Sequence, residues 1–160
     1  MSRVLSLLII ALAFIPSRAE VHRLFLTGGM SSAGVTAGLK FSPDGTYRFG
    51  ARAAYLPGVH AFDAHFHFSP AGVDFPTYFG TEIIYLYDTV VLTDKEFRRF
   101  EWVAIQGVIC QEFRLAPRLG LALEGGAGIR LWSNTRFVGG GAPIDIPLSV
   151  IARAELLFGI

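Results

Sequence analysis

Apolar side chains occupy every second position over long stretches of this chain. In the last stretch, positions 150, 152, 154, 156, 158 and 160 are all apolar, whereas the positions between them include Arg153 and Glu155. Successive side chains of a β-strand point to opposite faces, so a period of two predicts a strand with one apolar and one mixed face. The same alternation recurs through most of the sequence, which indicates an all-β protein.

Turn sequences separate the alternating stretches. Ser42-Pro43-Asp44-Gly45 and Leu56-Pro57-Gly58 are the clearest, because proline and glycine favour the backbone angles of tight turns. Between the turns, the alternation predicts eight strands, at residues 21–29, 34–42, 46–56, 59–68, 77–88, 97–112, 116–132 and 148–160.

The sixth predicted strand changes phase. Phe100 and Trp102 begin its apolar face, whereas Ile105 and Ile109 continue an apolar face of the opposite parity. A β-bulge inserts one extra residue into a strand and shifts the faces in this way. We therefore predict a bulge near Ala104–Gln106.

Eight consecutive strands, most of them about 9–13 residues long, suit an antiparallel up-and-down β-barrel that crosses a membrane. The charged face is rich in glycine, for example at Gly38, Gly50 and Gly80, which leaves room inside a narrow barrel for long charged neighbours. The other face carries aromatic and aliphatic side chains in bands, as a lipid-facing wall does. The prediction is a transmembrane barrel with its apolar face outward. The alternative is a soluble periplasmic barrel that binds an apolar ligand inside.

Composition narrows the class of protein. Of 160 residues, 52% are hydrophobic and only 17% are charged, with a mean hydropathy of +0.47. No run of about 20 apolar residues follows residue 16, so the pattern is not that of a helical membrane protein. A single cysteine, Cys110, excludes an internal disulfide and is interpreted as a small apolar strand residue. No basic stripe is present, so no nucleic acid is expected as a partner.

The beginning of the chain has the three parts of a secretory signal peptide. A basic start at Met1–Arg3 precedes the apolar stretch Val4–Pro16, and Ser17-Arg18-Ala19 places small residues before Glu20. We expect cleavage after Ala19, which leaves residues 20–160 as the barrel domain. The signal peptide indicates export, and a transmembrane barrel then indicates the outer membrane of a Gram-negative bacterium.

Ten charged residues occupy the face predicted to point inward. Five are basic and five acidic, and because an unpaired buried charge is costly, they are expected to pair. The interior of an eight-stranded barrel is just filled by side chains, so the prediction is a closed, salt-bridged lumen rather than a pore. With two histidines on the same face, the predicted lumen network is Lys40, Arg48, Arg52, Asp63, His65, His67, Glu82, Glu101, Glu124, Arg130, Arg153 and Glu155.

A metal site is the alternative to part of this network. Asp63, His65 and His67 share one face of a predicted strand, and Glu82 of the next strand could complete a ligand set. Two histidines without a second ligand motif are a weak signal, and hydrogen bonds to Arg48 and the other lumen residues explain them equally well. We expect no metal and no cofactor.

The last strand, Leu148–Ile160, resembles the closing strand that bacterial outer-membrane barrels present to their assembly machinery, with Phe158 and Ile160 as the assembly signal. The mature chain as a whole resembles small eight-stranded outer-membrane proteins of the OmpA-barrel and OmpX type. The resemblance implies contact with outer-membrane lipid and with the barrel assembly machinery. We also predict a structural or interaction role, such as an accessory subunit, with loops 89–96 and 133–147 as contact surfaces for a protein partner, because binding residues often lie on loops.

An enzyme is the alternative within the same class. Some eight-stranded outer-membrane barrels are lipid A deacylases, in which a His-x-Ser-Asn motif supplies the base and the nucleophile. Here Trp132-Ser133-Asn134 keeps the Ser-Asn pair, but position 131 is Leu, so the base is missing. We predict no catalytic residues.

Overall fold

The computed structural model describes residues 24–70, 76–93, 96–138 and 148–160. Each strand pairs antiparallel with the next, and the last pairs with the first, so one sheet closes into a barrel. Within the described residues, no helix is long and apolar enough to cross a membrane. The predicted all-β, up-and-down barrel is confirmed. Its eight strands are β1 Leu24–Ser31, β2 Gly34–Phe41, β3 Tyr47–Leu56, β4 Val59–Phe68, β5 Thr77–Thr93, β6 Glu96–Ala116, β7 Leu119–Val138 and β8 Leu148–Gly159.

Strands β2, β3, β4 and β8 lie within one residue of their predicted bounds. Strands β5, β6 and β7 are longer than predicted, because their backbone pairing continues beyond the ends of the other strands. Residues 89–93 and 133–138, predicted as loops, are therefore strand. The predicted signal peptide, residues 1–19, and the rest of the loop, residues 139–147, lie outside the described residues.

Local hydrogen bonds explain the turn between β2 and β3. The Ser42 hydroxyl accepts a hydrogen bond from the Gly45 amide at 3.1 Å, and Asp44 Oδ1 accepts one from the Thr46 amide at 2.9 Å. Gly45 has a φ of 78°, a left-handed conformation that glycine adopts without steric cost. The Ser42 and Asp44 side chains thus accept hydrogen bonds from backbone amides in the turn that have no partner in a neighbouring strand, which explains why this sequence predicts a turn.

The polarity of the barrel wall is the reverse of that in a soluble barrel, which has apolar side chains inside and charged side chains outside. Charged side chains such as Arg52 and Glu82 point inward and are 3% and 1% exposed. The outward positions are apolar, and each of the eight strands contributes exposed examples, among them Met30, Val35, Phe49, Phe62, Ile83, Ile109, Ile129 and Val150. The barrel is therefore polar inside and apolar outside, as the alternation predicts.

The irregularity predicted in β6 lies in the neighbouring strand instead. Val103 pairs with Trp132 and Ala104 pairs with Arg130, so Leu131 of β7 is the extra residue. Strand β6 keeps its phase here, and Trp102 lies on the same face as the buried Ala104. The prediction was right about the level of the bulge and wrong about the strand that contains it.

Candidate functional site

Arg52 is the centre of an ion cluster that spans the lumen. Its guanidinium group, carried by β3, contacts carboxylates from four other strands. Arg52 Nε donates to Asp63 Oδ1 at 3.0 Å, and Nη1 donates to Glu155 Oε2 at 3.1 Å. Nη2 donates to Glu124 Oε1 at 3.1 Å and makes a short hydrogen bond to Glu82 Oε1. One side chain thus joins β3 to β4, β5, β7 and β8.

Arg153 of β8 is the second cation of this cluster. Its Nη1 donates to Glu82 Oε1 at 2.7 Å and, through a short bond, to Glu124 Oε1. Its Nη2 lies 3.3 Å from Asp63 Oδ2. The Thr36 hydroxyl of β2 also donates a hydrogen bond to Glu155 Oε1, at 2.9 Å. We call Arg52, Arg153, Asp63, Glu82, Glu124 and Glu155 the central ion cluster.

A second layer lies nearer the end of the barrel where β1 begins and β8 ends. Arg48 Nη2 lies 2.8 Å from Glu112 Oε2 and donates to the Tyr78 hydroxyl at 3.1 Å. Lys40, which is fully buried, has its Nζ 3.9 Å from Glu112 Oε1. Glu112 was missing from the predicted network, although it has the same parity in β6 as the inward-facing Gln106. Tracing that phase to the end of the strand would have found it.

An apolar layer closes the same end of the lumen. Tyr78, Cys110, Ala122 and Leu157 are each at most 3% exposed and pack together, with Phe25 against them. The Arg48 guanidinium lies 4.6 Å from the centre of the Tyr78 ring, so the second layer rests directly on the apolar one. Cys110 is buried here, in agreement with its interpretation as an apolar strand residue.

Two of the predicted network residues lie away from the central ion cluster. Arg130 stacks its guanidinium 5.3 Å from the Phe100 ring centre and 5.8 Å from that of Trp102, nearer the opposite end of the lumen. Glu101 accepts a hydrogen bond from Arg99 Nη2 at 2.6 Å and lies on the face opposite to Trp102. Its assignment to the lumen was wrong, because β6 has no bulge between Glu101 and Gln106 and its odd positions there point outward.

The two lumen histidines lie beside glycines of neighbouring strands. His65 pairs across the sheet with Gly50, and His67 pairs with Gly80. A Cβ atom on Gly50 would lie 2.6 Å from His65 Cε1, and one on Gly80 would lie 2.9 Å from His67 Cα. The absence of side chains at these glycines therefore makes room for the imidazole rings, as the sequence analysis expected for the charged face.

The substitution Gly80→Ala is expected to lower the free energy of unfolding by about 1–3 kcal/mol, the usual cost of overpacking a filled interior. The added methyl group would meet the Phe66 carbonyl and the His67 ring. Gly125→Ala is the matched control, because no atom lies within 4 Å of the place that its added methyl group would take. Urea unfolding of the two purified variants in detergent measures the difference, and equal midpoints would contradict the packing argument.

His65 is held by a hydrogen bond, whereas His67 is not. His65 Nδ1 lies 3.0 Å from Asp63 Oδ1, and that carboxylate also contacts Arg52. His67 Nε2 lies 3.7 Å from Glu124 Oε2 and 3.9 Å from Glu82 Oε1, beyond hydrogen-bond distance. The predicted cluster of Asp63, His65 and His67 is thus divided between two surroundings.

The Ser-Asn pair of the enzyme alternative lies in β7, opposite β6. Ser133 pairs with Trp102 of β6, and Asn134 pairs with Glu101. Neither β6 nor β8, the two strands that flank β7, contains a histidine. Among the residues that the structure describes, these two strands therefore place no imidazole beside Ser133.

The predicted assembly signal lies on the outer surface of the closing strand. Phe158 is 47% exposed and Ile160 is 66% exposed. The Ile160 amide donates to the Leu24 carbonyl at 2.9 Å, which joins the end of the chain to the first residue of β1. Both side chains are thus accessible from outside at the seam where the barrel closes.

Two solved structures share the fold of this chain. They are the crystal structures of CarO and CarO2 from Acinetobacter baumannii, with TM-scores of 0.53 and 0.52. The alignments cover 90% and 88% of this chain and all of each of those chains, at 6% sequence identity. At that identity the similarity establishes the fold alone. The chain matches no protein-family model and no curated protein sequence.

Proposed function

We propose that this protein is a bacterial outer-membrane β-barrel with a closed, salt-bridged lumen and a structural or interaction role. The observation that carries the proposal is that the barrel wall is apolar on its outer face and charged on its inner face. Outward side chains such as Val150 and Ile83 are apolar and 75% and 55% exposed. A soluble protein rarely exposes an apolar surface around its whole circumference, because contact between apolar groups and water is unfavourable. The hydrocarbon core of a bilayer requires such a surface. A closed barrel also leaves no strand edge unpaired in lipid.

The similarity to the two Acinetobacter barrels and the predicted signal peptide both support this location. Export of the chain, removal of residues 1–19 and recognition of Phe158 and Ile160 by the barrel assembly machinery form one route to the outer membrane. The soluble alternative needs the opposite arrangement, with apolar side chains around a ligand cavity and charges on the surface. The buried charges of Arg52 and Glu82 argue against that alternative.

Membrane fractionation tests the location. We expect the protein in the outer-membrane fraction after density-gradient separation. We also expect its mobility on gels without boiling to differ from that of the boiled, unfolded chain. Recovery of the folded protein from the periplasmic soluble fraction would overturn the proposal.

The purified barrel is expected to conduct no measurable ionic current in a planar lipid bilayer. The apolar layer, the layer of Arg48 and Glu112, and the central ion cluster fill the lumen in succession. Charges of both signs are paired within these layers, and a one-signed ring typical of a selective pore is not seen among the described lumen residues. A porin added to the same bilayer is the positive control, and stepwise currents from this barrel alone would contradict a closed lumen.

The part of β5, β6 and β7 that extends past the other strands is the surface that best suits an interaction role. Arg99 lies 5.1 Å from the Tyr87 ring centre, and Trp132, in the extended part of β7, is 48% exposed. Exposed aromatic and arginine side chains are enriched at protein interfaces. Co-purification in mild detergent, with the Trp132→Ala and Val150→Ala variants compared, tests this. A partner that is lost only with Trp132→Ala supports the surface, and a partner that is retained by both excludes it.

A further inference from the structure

We propose that His67, Cys110 and Glu124 form a binding site for one divalent transition-metal ion, of which Zn²⁺ suits the donors best. The three residues come from β4, β6 and β7. Cys110 and Glu124 lie directly opposite each other in the β6–β7 ladder. A ring nitrogen, the Cys110 sulfur and a carboxylate oxygen all lie within 4.8 Å of one another. The sequence analysis considered His67 with Asp63 and His65 and expected no metal, whereas the fold brings a different set together.

The state of His67 is the first argument for a ligand. The residue is 0% exposed, yet neither ring nitrogen has a hydrogen-bond partner. Buried polar groups are nearly always hydrogen-bonded, because an unsatisfied one loses its hydration without compensation. Of the two carboxylate oxygens that lie within 4 Å of Nε2, the nearer is Glu124 Oε2, at 3.7 Å. A metal ion bound between these two atoms would give Nε2 the partner that it lacks.

The charge of the two layers around the site is the second argument. In the central ion cluster and the layer beside it, four basic side chains, Lys40, Arg48, Arg52 and Arg153, face five carboxylates. These carboxylates belong to Asp63, Glu82, Glu112, Glu124 and Glu155. With neutral histidines and a neutral thiol, the set carries one negative charge. A divalent ion adds two positive charges, and the Cys110 thiol releases its proton to solvent when its sulfur binds the metal. The set is then neutral.

The donor chemistry selects the kind of ion. Imidazole nitrogen and thiolate sulfur favour zinc and similar transition metals, whereas calcium and magnesium prefer oxygen ligands alone. Tetrahedral zinc bonds of about 2.0–2.3 Å place ligand atoms roughly 3.5 Å apart. The separations within 4.8 Å therefore need to close by about 1 Å, which side-chain rotation can supply.

A second trio, Asp63, His65 and Glu82, is also close enough to hold an ion. The carboxylates of both trios accept hydrogen bonds from Arg52, so the histidines separate them. His65 Nδ1 is already engaged with Asp63 at 3.0 Å, whereas neither ring nitrogen of His67 has a hydrogen-bond partner. Lys40 acts electrostatically on both His67 and Cys110 and opposes a cation there. The site of His67, Cys110 and Glu124 is therefore the one expected to bind a metal. Its nitrogen and sulfur donors favour a transition metal over calcium or magnesium.

Metal analysis of the whole folded barrel tests the proposal. The protein is folded in detergent with Zn²⁺, freed of loose ions by gel filtration, and its metal content is measured by mass spectrometry. The wild type is expected to retain one zinc per chain, and Cys110→Ala and His67→Gln are expected to lose it. His60→Gln is the matched control, because that ring lies between Tyr55 and Tyr87 near the β3–β4 turn and outside both trios.

Cobalt spectroscopy of the wild-type barrel tests the same site without any substitution, so it does not depend on whether a variant folds. The chain has one cysteine, so a sulfur-to-cobalt charge-transfer band in the wild-type barrel loaded with Co²⁺ reports Cys110 alone. The band supports the site. A folded wild-type barrel that retains no zinc, one that binds cobalt without this band, or a Cys110→Ala variant that retains full zinc would each overturn it. Because the readout is metal content, it is independent of where the barrel lies in the cell.

Discussion

Replacing Arg52 by methionine is expected to lower the free energy of unfolding of the barrel by about 3–5 kcal/mol, the typical effect of removing one partner from a buried ion pair. The substitution keeps much of the side-chain volume but leaves Asp63, Glu82, Glu124 and Glu155 with fewer hydrogen bonds and one less positive charge. Because these carboxylates come from four strands, repulsion between them acts on most of the barrel at once.

The control for Arg52→Met is Arg99→Met. Arg99 pairs with Glu101 at 2.6 Å, but its side chain is 47% exposed, so water replaces the lost contact. We expect its urea midpoint to stay close to that of the wild type. The double variant with Arg52→Met and Glu82→Gln should recover part of the loss, since it removes one of the unpaired charges. Equal midpoints for Arg52→Met and Arg99→Met would show that the central ion cluster does not stabilise the barrel.

Replacing Ile83 by arginine is expected to lower the stability of the barrel in lipid by about 2–4 kcal/mol, the cost measured for a cation at the middle of a membrane barrel wall. Ile83 is 55% exposed on the outer face. It lies midway along the wall, where it pairs with Ala64 and Ile105. A charge there would lie in the hydrocarbon core if the proposed function is right.

Leu56→Arg is the matched control for Ile83→Arg. Leu56 is also exposed, at 47%, but it lies next to the β3–β4 turn. Near the membrane interface an arginine costs only about 0–1 kcal/mol. Refolding into lipid vesicles followed by urea titration measures both variants. If the barrel were soluble, Ile83→Arg would improve its solubility without this loss of stability, and that result would refute a lipid-facing wall.

The wrong assignment of Glu101 to the lumen has a physical cause. Periodicity assigns each residue to a face, but it cannot show which of two paired strands takes up an extra residue. From Trp102 to Ile105 both parities are apolar, so the pattern allowed a phase change in β6. The structure instead places the extra residue at Leu131 and turns the two aromatic rings toward Arg130. Glu101 therefore points outward.

The sequence by itself determined the strand order, the turns and which face of nearly every strand is apolar, because a period of two is a local property of neighbouring residues. The tertiary structure alone decided which charges meet. Arg52 contacts carboxylates more than seventy positions away, such as Glu124 and Glu155, and Cys110 lies beside His67. Such contacts depend on the register of eight strands and the curvature that closes them. These are properties of the whole barrel and cannot be read from any one segment.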